Sequence, residues 1–256
     1  MRYGCCANPD SIAAVAAAGF DFCELPARAL LPREDDHAVL ASLNMLSRSP
    51  IALEAYNQLI PADLPIVGPQ ADHIALRDYL QRAFGRMAQL GGRVAVLGSG
   101  AARAIPAGWE RDKGALQLAE ALKIATDESA RVGVTLALEH LNSRECNILN
   151  SVAECLSFIR EHSIDGCKVL VDLYHLEVEH ESPEVIYKAA PLLAHVHVAG
   201  GDRKSPARPG YDYAGFAEAL RSIGYDARVS AECGWDNFEA EAPEALAVMR
   251  QMHVTQ

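Results

Sequence analysis

Positive charge is scarce in this chain. Against 34 Asp and Glu stand only 23 Lys and Arg, a formal net charge of −11. A general affinity for nucleic acid or anionic membrane is therefore not expected, because such binding rests on Lys and Arg neutralising phosphate. No apolar run approaches the ~20 residues that span a bilayer. The opening MRYGCCANPD has no apolar stretch of the kind a secretory leader carries. No GxGxxG follows the first apolar run and no GxxxxGK(S/T) occurs, so a nucleotide-binding fold has no direct support. The seven cysteines, Cys5, Cys6, Cys23, Cys146, Cys155, Cys167 and Cys233, are odd in number and contain no CxxC pair. They read as reduced core residues of a cytoplasmic protein rather than a zinc or disulfide framework.

What is present is alternation. Eight short apolar, β-rich runs (RYGCC, FDFCELP, IALEAYN, RVAVLGS, VTLALEHL, KVLVDLY, AHVHVA and RVSAEC) alternate with segments of helical periodicity. Those segments are 9–18, 72–90, 111–131, 151–162, 183–190, 213–223 and 239–252, several closed by glycine. The strands are near-continuous apolar runs, as expected when both faces of a parallel sheet are covered. Half the residues are hydrophobic and the length is 256, the size of one (β/α)₈ TIM barrel. The expectation is an α/β fold with one domain over 1–256, and an open doubly wound sheet is the second choice. Between Pro26 and Pro50 the prolines and mixed charges predict a short or irregular second helix. The stretch 57–70, with three prolines, predicts a long loop after the third strand, either covering a substrate or merely connecting.

Four residues stand at the carboxyl ends of the last four strands: Glu139, Asp172, His197 and Glu232. Their spacings are 33, 25 and 35 residues, each about one βα unit. In a parallel barrel all such ends converge on one mouth. Three carboxylates and one imidazole suit Mn²⁺, Mg²⁺ or Co²⁺, and suit Zn²⁺ less well. Beside them lie His175 in DLYH, Glu145 in NSRECN, and Arg203, whose forked donors suit an oxygen-rich ligand. Each of these three alone could be a solvated loop charge, which is the better reading for Glu145 and an even one for Arg203.

The segments LALEHLNSRECN, LVDLYHLEVEHES and HVHVAGGDRKSPARPGYDYAGFAEALRSIGYDARVSAECGW, in that order, resemble the xylose-isomerase-like barrel superfamily. The sugar 3-epimerases, hydroxypyruvate isomerase and the inosose isomerases are the most similar branches, and the fit is strongest from Val94 onward. The resemblance implies a metal-dependent isomerase or epimerase of a small keto-sugar or polyol ketone. It implies Glu139, Asp172, His197 and Glu232 as metal ligands, with Glu139 and Glu232 also the acid/base pair. It places His175, Arg203 and Glu145 on the substrate side, and implies a homodimer or homotetramer. Removing a proton beside a ketone needs a stabilised enediolate, which a divalent ion supplies. Return of the proton from the other face gives epimerisation, and return to the neighbouring carbon gives isomerisation.

Several residues stay open. Trp109 either stacks on a sugar or anchors the next helix. Glu24 and Glu54 end or nearly end strands two and three, and either can line the pocket. The run Glu177, Glu179, His180 and Glu181 reads as a solvated loop partly near the substrate. His195 shares a strand face with His197 and reads as a hydrogen-bonded core residue, and His140 should face the helices. A dehydratase of inosose or dehydroshikimate type, a C-glycoside-cleaving barrel and a non-catalytic sugar-binding barrel remain alternatives. So does an endonuclease IV type of enzyme. That branch needs further histidines on early strands, whereas the early histidines here, His37 and His73, fall in predicted helices.

Overall fold

The computed structural model describes residues 1–210 and 212–252. Eight parallel strands close on themselves in chain order: β1 (Arg2–Cys6), β2 (Phe22–Pro26), β3 (Ala52–Asn57), β4 (Val94–Leu97), β5 (Thr135–Glu139), β6 (Lys168–Asp172), β7 (Leu193–Val198) and β8 (Arg228–Ala231). The ring is completed by β8 pairing with β1 through Arg228↔Arg2 to Ala231↔Cys5. Outside it lie α1 (Ile12–Ala17), α2 (Asp36–Leu46), α3 (His73–Gln89), α4 (Gly100–Arg103), α5 (Arg111–Arg131), α6 (Val152–Glu161), α7 (Leu173–Val178), α8 (Val185–Ala189), α9 (Ala214–Ser222) and α10 (Phe238–Gln251). This is a (β/α)₈ barrel, and all eight strands fall where the apolar runs predict them.

The barrel interior is filled unevenly. Phe22, Ala55, Val94, Val96, Ala137 and Leu170 form a separate inner core inside the ring. One large ring demands small neighbours: a Cβ on Gly4 would lie 2.3 Å from Phe22 ring atoms. At the amino ends of the strands, Glu54 pairs with Arg2 at 2.6 Å and with Arg228 at 2.6 Å. Glu54 therefore seals the floor of the barrel, opposite the mouth, and does not line the pocket.

The second helix departs from expectation. Rather than short or irregular, α2 is an 11-residue helix whose N-cap, Asp35, accepts from Ala38 N. Pro26 and Pro32 lie before it and Pro50 lies after it. The segment leading into it is ordered by Arg86 of α3, which is 2% exposed. Its guanidinium donates to the carbonyls of Leu30, Leu31 and Glu34 and to the Asp36 carboxylate. The sixth strand is also shorter than read. It stops at Asp172, whose Oδ1 accepts from the main-chain N–H of Tyr174 at 2.7 Å and of His175 at 3.3 Å, starting α7. Among the described residues no helix is long and apolar enough to cross a membrane, and all seven cysteines are free.

Candidate metal centre

The four strand-end residues meet. Glu139 and Asp172 are the last residues of β5 and β6, His197 is the penultimate residue of β7, and Glu232 follows β8 directly. Pairing across the sheet aligns Asp172 with His197, and His197 with Ser230. One donor atom from each of the four lies within 4.8 Å of the others. His197 Nδ1 is 3.3 Å from Glu232 Oε2, 3.4 Å from Glu139 Oε1 and 3.9 Å from Asp172 Oδ2. His197 is fully buried and Asp172 is 1% exposed. Two of these atoms, His197 Nδ1 and Glu139 Oε1, are buried without a hydrogen-bond partner. Buried polar atoms are normally satisfied, so a donor set of three carboxylates turned on one bare imidazole nitrogen fits a hard divalent cation. Room for Glu139 comes from Gly98 after β4: a Cβ there would lie 2.1 Å from Glu139 Oε2.

Behind His197 stands Glu24, the residue whose role the sequence left open. Its carboxylate is fully buried. Oε1 lies 2.9 Å from His197 Nε2. Oε2 lies 2.7 Å from His195 Nε2 and accepts from Ser230 Oγ at 2.7 Å. A carboxylate on Nε2 fixes the ring and leaves Nδ1 to face the cluster, the usual support for a metal-binding histidine. His195 is the hydrogen-bonded core residue that was expected.

The field here is strong. Burial works to raise Glu24, but His197 and His195 outweigh it and hold the carboxyl well below its usual range. Burial opposes protonation of His197, yet Glu24 and Glu232 raise it well above the ordinary imidazole value. Burial, reinforced by Glu232, raises Asp172 to about 6, and burial also raises Glu139. For Glu232 burial is outweighed by His197 and Arg203, which bring it to about 2. The pattern is that of surplus negative charge gathered round one cationic position.

On the open side of the cluster the three expected polar residues form a chain. Arg203 Nη2 donates to Glu232 Oε2 at 3.1 Å and Nη1 to Glu145 Oε1 at 2.7 Å, and the guanidinium lies 4.9 Å from the Tyr174 ring centre. Asn57 donates to Glu232 Oε1 at 3.2 Å. Asn142, which sequence reasoning missed, joins Glu145 to His175. Its side-chain amide donates to Glu145 Oε1 at 2.8 Å and lies 2.8 Å from His175 Nδ1. Its main-chain N–H also points at Nδ1, at 3.3 Å. Nδ1 must therefore accept, which puts the ring proton on Nε2. That atom is buried, unpartnered and 3.7 Å from Asp172 Oδ2. Burial lowers the His175 pKa, which favours the neutral ring. Arg103, also missed, is fully buried and donates to the Glu139 carbonyl at 2.7 Å, pinning the end of β5.

Other candidates fall elsewhere. The Trp109 indole N–H donates to Gln117 at 3.1 Å and Lys113 Nζ sits 4.3 Å from its ring centre. Gln117 also bonds both main-chain groups of Gly68, so these contacts fasten the 57–70 loop to α5, in line with the anchoring reading. The acidic run after β6 is not simply solvated loop. Glu177 lies in α7, Glu179 accepts from Ser143 N and Oγ, and Glu181 accepts from Val152 N and Ala153 N at the start of α6. His180, at φ 55°, turns the chain between them. His140 is fully buried, edge-on to His175 with ring centres 5.8 Å apart. His37 and His73 lie on α2 and α3, and neither joins a ligand group among the described residues.

Comparison with known proteins finds relatives in sequence and in fold. The chain is 31% identical over 114 residues to a D-psicose 3-epimerase of Agrobacterium fabrum, a stretch covering 44% of this chain and 39% of that protein. The chain thus spans well under half the length of that relative. An L-ribulose 3-epimerase of a Methylomonas species is 27% identical over 228 residues, covering 87% of this chain and 77% of the other. The fold superposes on the crystal structure of a D-psicose 3-epimerase with D-tagatose from Clostridium cellulolyticum H10. The TM-score is 0.83, at 22% identity, over the full length of both chains. The profile of the xylose isomerase-like TIM barrel family matches residues 12–252, and the chain belongs to that family.

Proposed function

We propose that the chain is a divalent-metal-dependent epimerase or isomerase that moves a proton at the carbon beside the carbonyl of a small keto-sugar. The observation that carries this reading is the placement of Glu139 and Glu232. They come from β5 and β8, flank the Asp172–His197 pair of β6 and β7, and approach the same imidazole nitrogen at 3.4 and 3.3 Å. Two carboxylates on either side of one site can take a proton from one face of a substrate and return it from the other. The names of the relatives support the same class. Glu139, Asp172, His197 and Glu232 would hold the ion, Mn²⁺ by preference for hard donors, with Mg²⁺ or Co²⁺ as substitutes. When bound it supplies Lewis-acid stabilisation of the negative charge that develops on the substrate oxygens.

The remaining work falls to side chains. His175 presents Nε2–H and Arg203 its guanidinium toward substrate oxygens, while Glu145 and Asn142 hold both in place. Arg203 keeps its charge: burial works against it, but Glu232 and Asp172 raise its pKa. The other cations of the seventh loop are already engaged. Lys204 pairs with Asp236 at 2.5 Å, and Arg208 with Asp202 at 2.9 Å and with Asp236. This favours an unphosphorylated keto-sugar over a sugar phosphate. A cytoplasmic homodimer or homotetramer completes the proposal, with sedimentation as its check. The test of the chemistry is Glu232→Gln and Glu139→Gln turnover in D₂O on a panel of ketoses. Each change should cost about 10²–10⁴-fold, the scale of acid–base catalysis. Wild-type turnover with retained deuterium exchange in Glu232→Gln would remove that residue from the mechanism.

A further inference from the structure

A fifth side chain reaches the centre, and it has a different chemistry. Cys6 is the last residue of β1 and pairs with Glu24 across the sheet. It is only partly buried, whereas Cys5, Cys23, Cys146, Cys155 and Cys167 are buried. One donor atom each from Cys6, His197 and Glu232 lies within 4.8 Å of the others. Glu139 and Asp172 group with His197 and Glu232 but not with Cys6. The centre thus holds two overlapping donor sets that share His197 and Glu232. One is extended by hard oxygens toward β5 and β6, the other by sulfur toward β1. The independent sign that the shared position takes a cation is His197 Nδ1, fully buried, without a partner, and 3.3 Å from Glu232 Oε2.

We propose that Cys6, His197 and Glu232 form a second, soft-cation binding mode of this centre, taking Zn²⁺ or Cd²⁺ through the Cys6 sulfur and excluding the hard ion. The inference rests on the metal-site reading given above. Thiolate prefers such ions, while carboxylate and water suit Mn²⁺ and Mg²⁺. On binding, the Cys6 S–H bond breaks, a sulfur–metal bond forms and one proton leaves to solvent, with no change of oxidation state. His197 and Glu232 belong to both donor sets, so an ion held with Cys6 would occupy donors that the hard ion needs, and the two would exclude each other. Soft cations are then inhibitors that compete with Mn²⁺, and the competition is set by one side chain.

The experiment is titration of the metal-stripped full chain with Cd²⁺ and with Mn²⁺, in wild type, Cys6→Ser, Cys6→Ala and Cys233→Ser. Expected in wild type and Cys233→Ser is one Cd²⁺ per chain with ultraviolet thiolate-to-cadmium absorption. Both Cys6 variants should lose that band. Their preference for Cd²⁺ over Mn²⁺ should fall on the order of tenfold or more, the scale on which a changed ligand environment alters affinity. Circular dichroism shows that each variant is folded, and the two Cys6 variants guard against one failing. Wild type binding Cd²⁺ without the band, or the band surviving in folded Cys6 variants, overturns the soft mode and leaves the hard-ion centre standing. Binding of neither ion in wild type overturns the metal-centre reading itself.

Discussion

Glu24→Gln is the most informative single change in the molecule. The Glu24 carboxylate serves three groups at 2.7–2.9 Å: His197, His195 and Ser230. A glutamine has one acceptor oxygen in place of two and turns its NH₂ toward one imidazole Nε2, which then faces a donor. If that ring is His197, its proton is pushed to Nδ1, the atom that should bind the ion. If it is His195, His197 keeps its bond but loses the full negative charge behind it. Loss of an outer carboxylate typically weakens metal binding by about 10–100-fold, which is about 1.4–2.7 kcal/mol at 1.36 kcal/mol per decade. The protein is also destabilised, because removing one partner of a buried charge pair costs about 3–5 kcal/mol. The assay is Mn²⁺ affinity by calorimetry well below the unfolding temperature, with the fold checked by circular dichroism. Glu24→Asp keeps the charge and should lose less. A Glu24→Gln protein that is folded and binds Mn²⁺ within twofold of wild type would refute the supporting role.

Two further outcomes follow from the packing and charge of the site. Gly98→Ala places a Cβ 2.1 Å from Glu139 Oε2, and Gly98 has no positive φ to complicate the change. Mn²⁺ affinity should fall about tenfold or more, the scale of a misplaced ligand shell, and unchanged affinity would mean that Glu139 is not held there. His140 gives a pH test. Burial, with His175 and Arg103 nearby, lowers it from 6.5 to about 3. The unfolded chain therefore binds a proton that the folded chain refuses. Stability is complete above pH 6.5 and declines as pH falls toward 3, by about 2 kcal/mol at pH 5 relative to pH 8. In urea denaturation His140→Gln should show a smaller drop between those two pH values, and an equal drop would contradict the burial argument.

The barrel was legible because each strand is a short apolar run at βα spacing, a signal that survives without any knowledge of partners. Glu139, Asp172, His197 and Glu232 were legible for the same reason: strand-end position alone brings them together. Glu24 was not, since it lies 171 and 173 residues from the two histidines that define it. The register shift at Cys23/Glu24, which pairs Glu24 with Ala55 and leaves Glu54 out of step, leaves no mark in the apolar pattern. Arg103 and Asn142 read as ordinary loop or helix polar residues, and only their burial shows that they order β5 and His175. For α2 the prolines misled, because they lie on either side of the helix and Arg86, contributed by α3, sets its start.

The central claim is that Glu139, Asp172, His197 and Glu232 hold a divalent ion on which proton transfer beside a carbonyl depends. Its most direct measurement is NMR of keto-sugars incubated in D₂O with the chain after chelation, before and after Mn²⁺ is restored. Expected is deuterium at the carbon beside the carbonyl, lost on chelation and regained with Mn²⁺. Turnover that proceeds unchanged after chelation, or product that carries no deuterium, would contradict it.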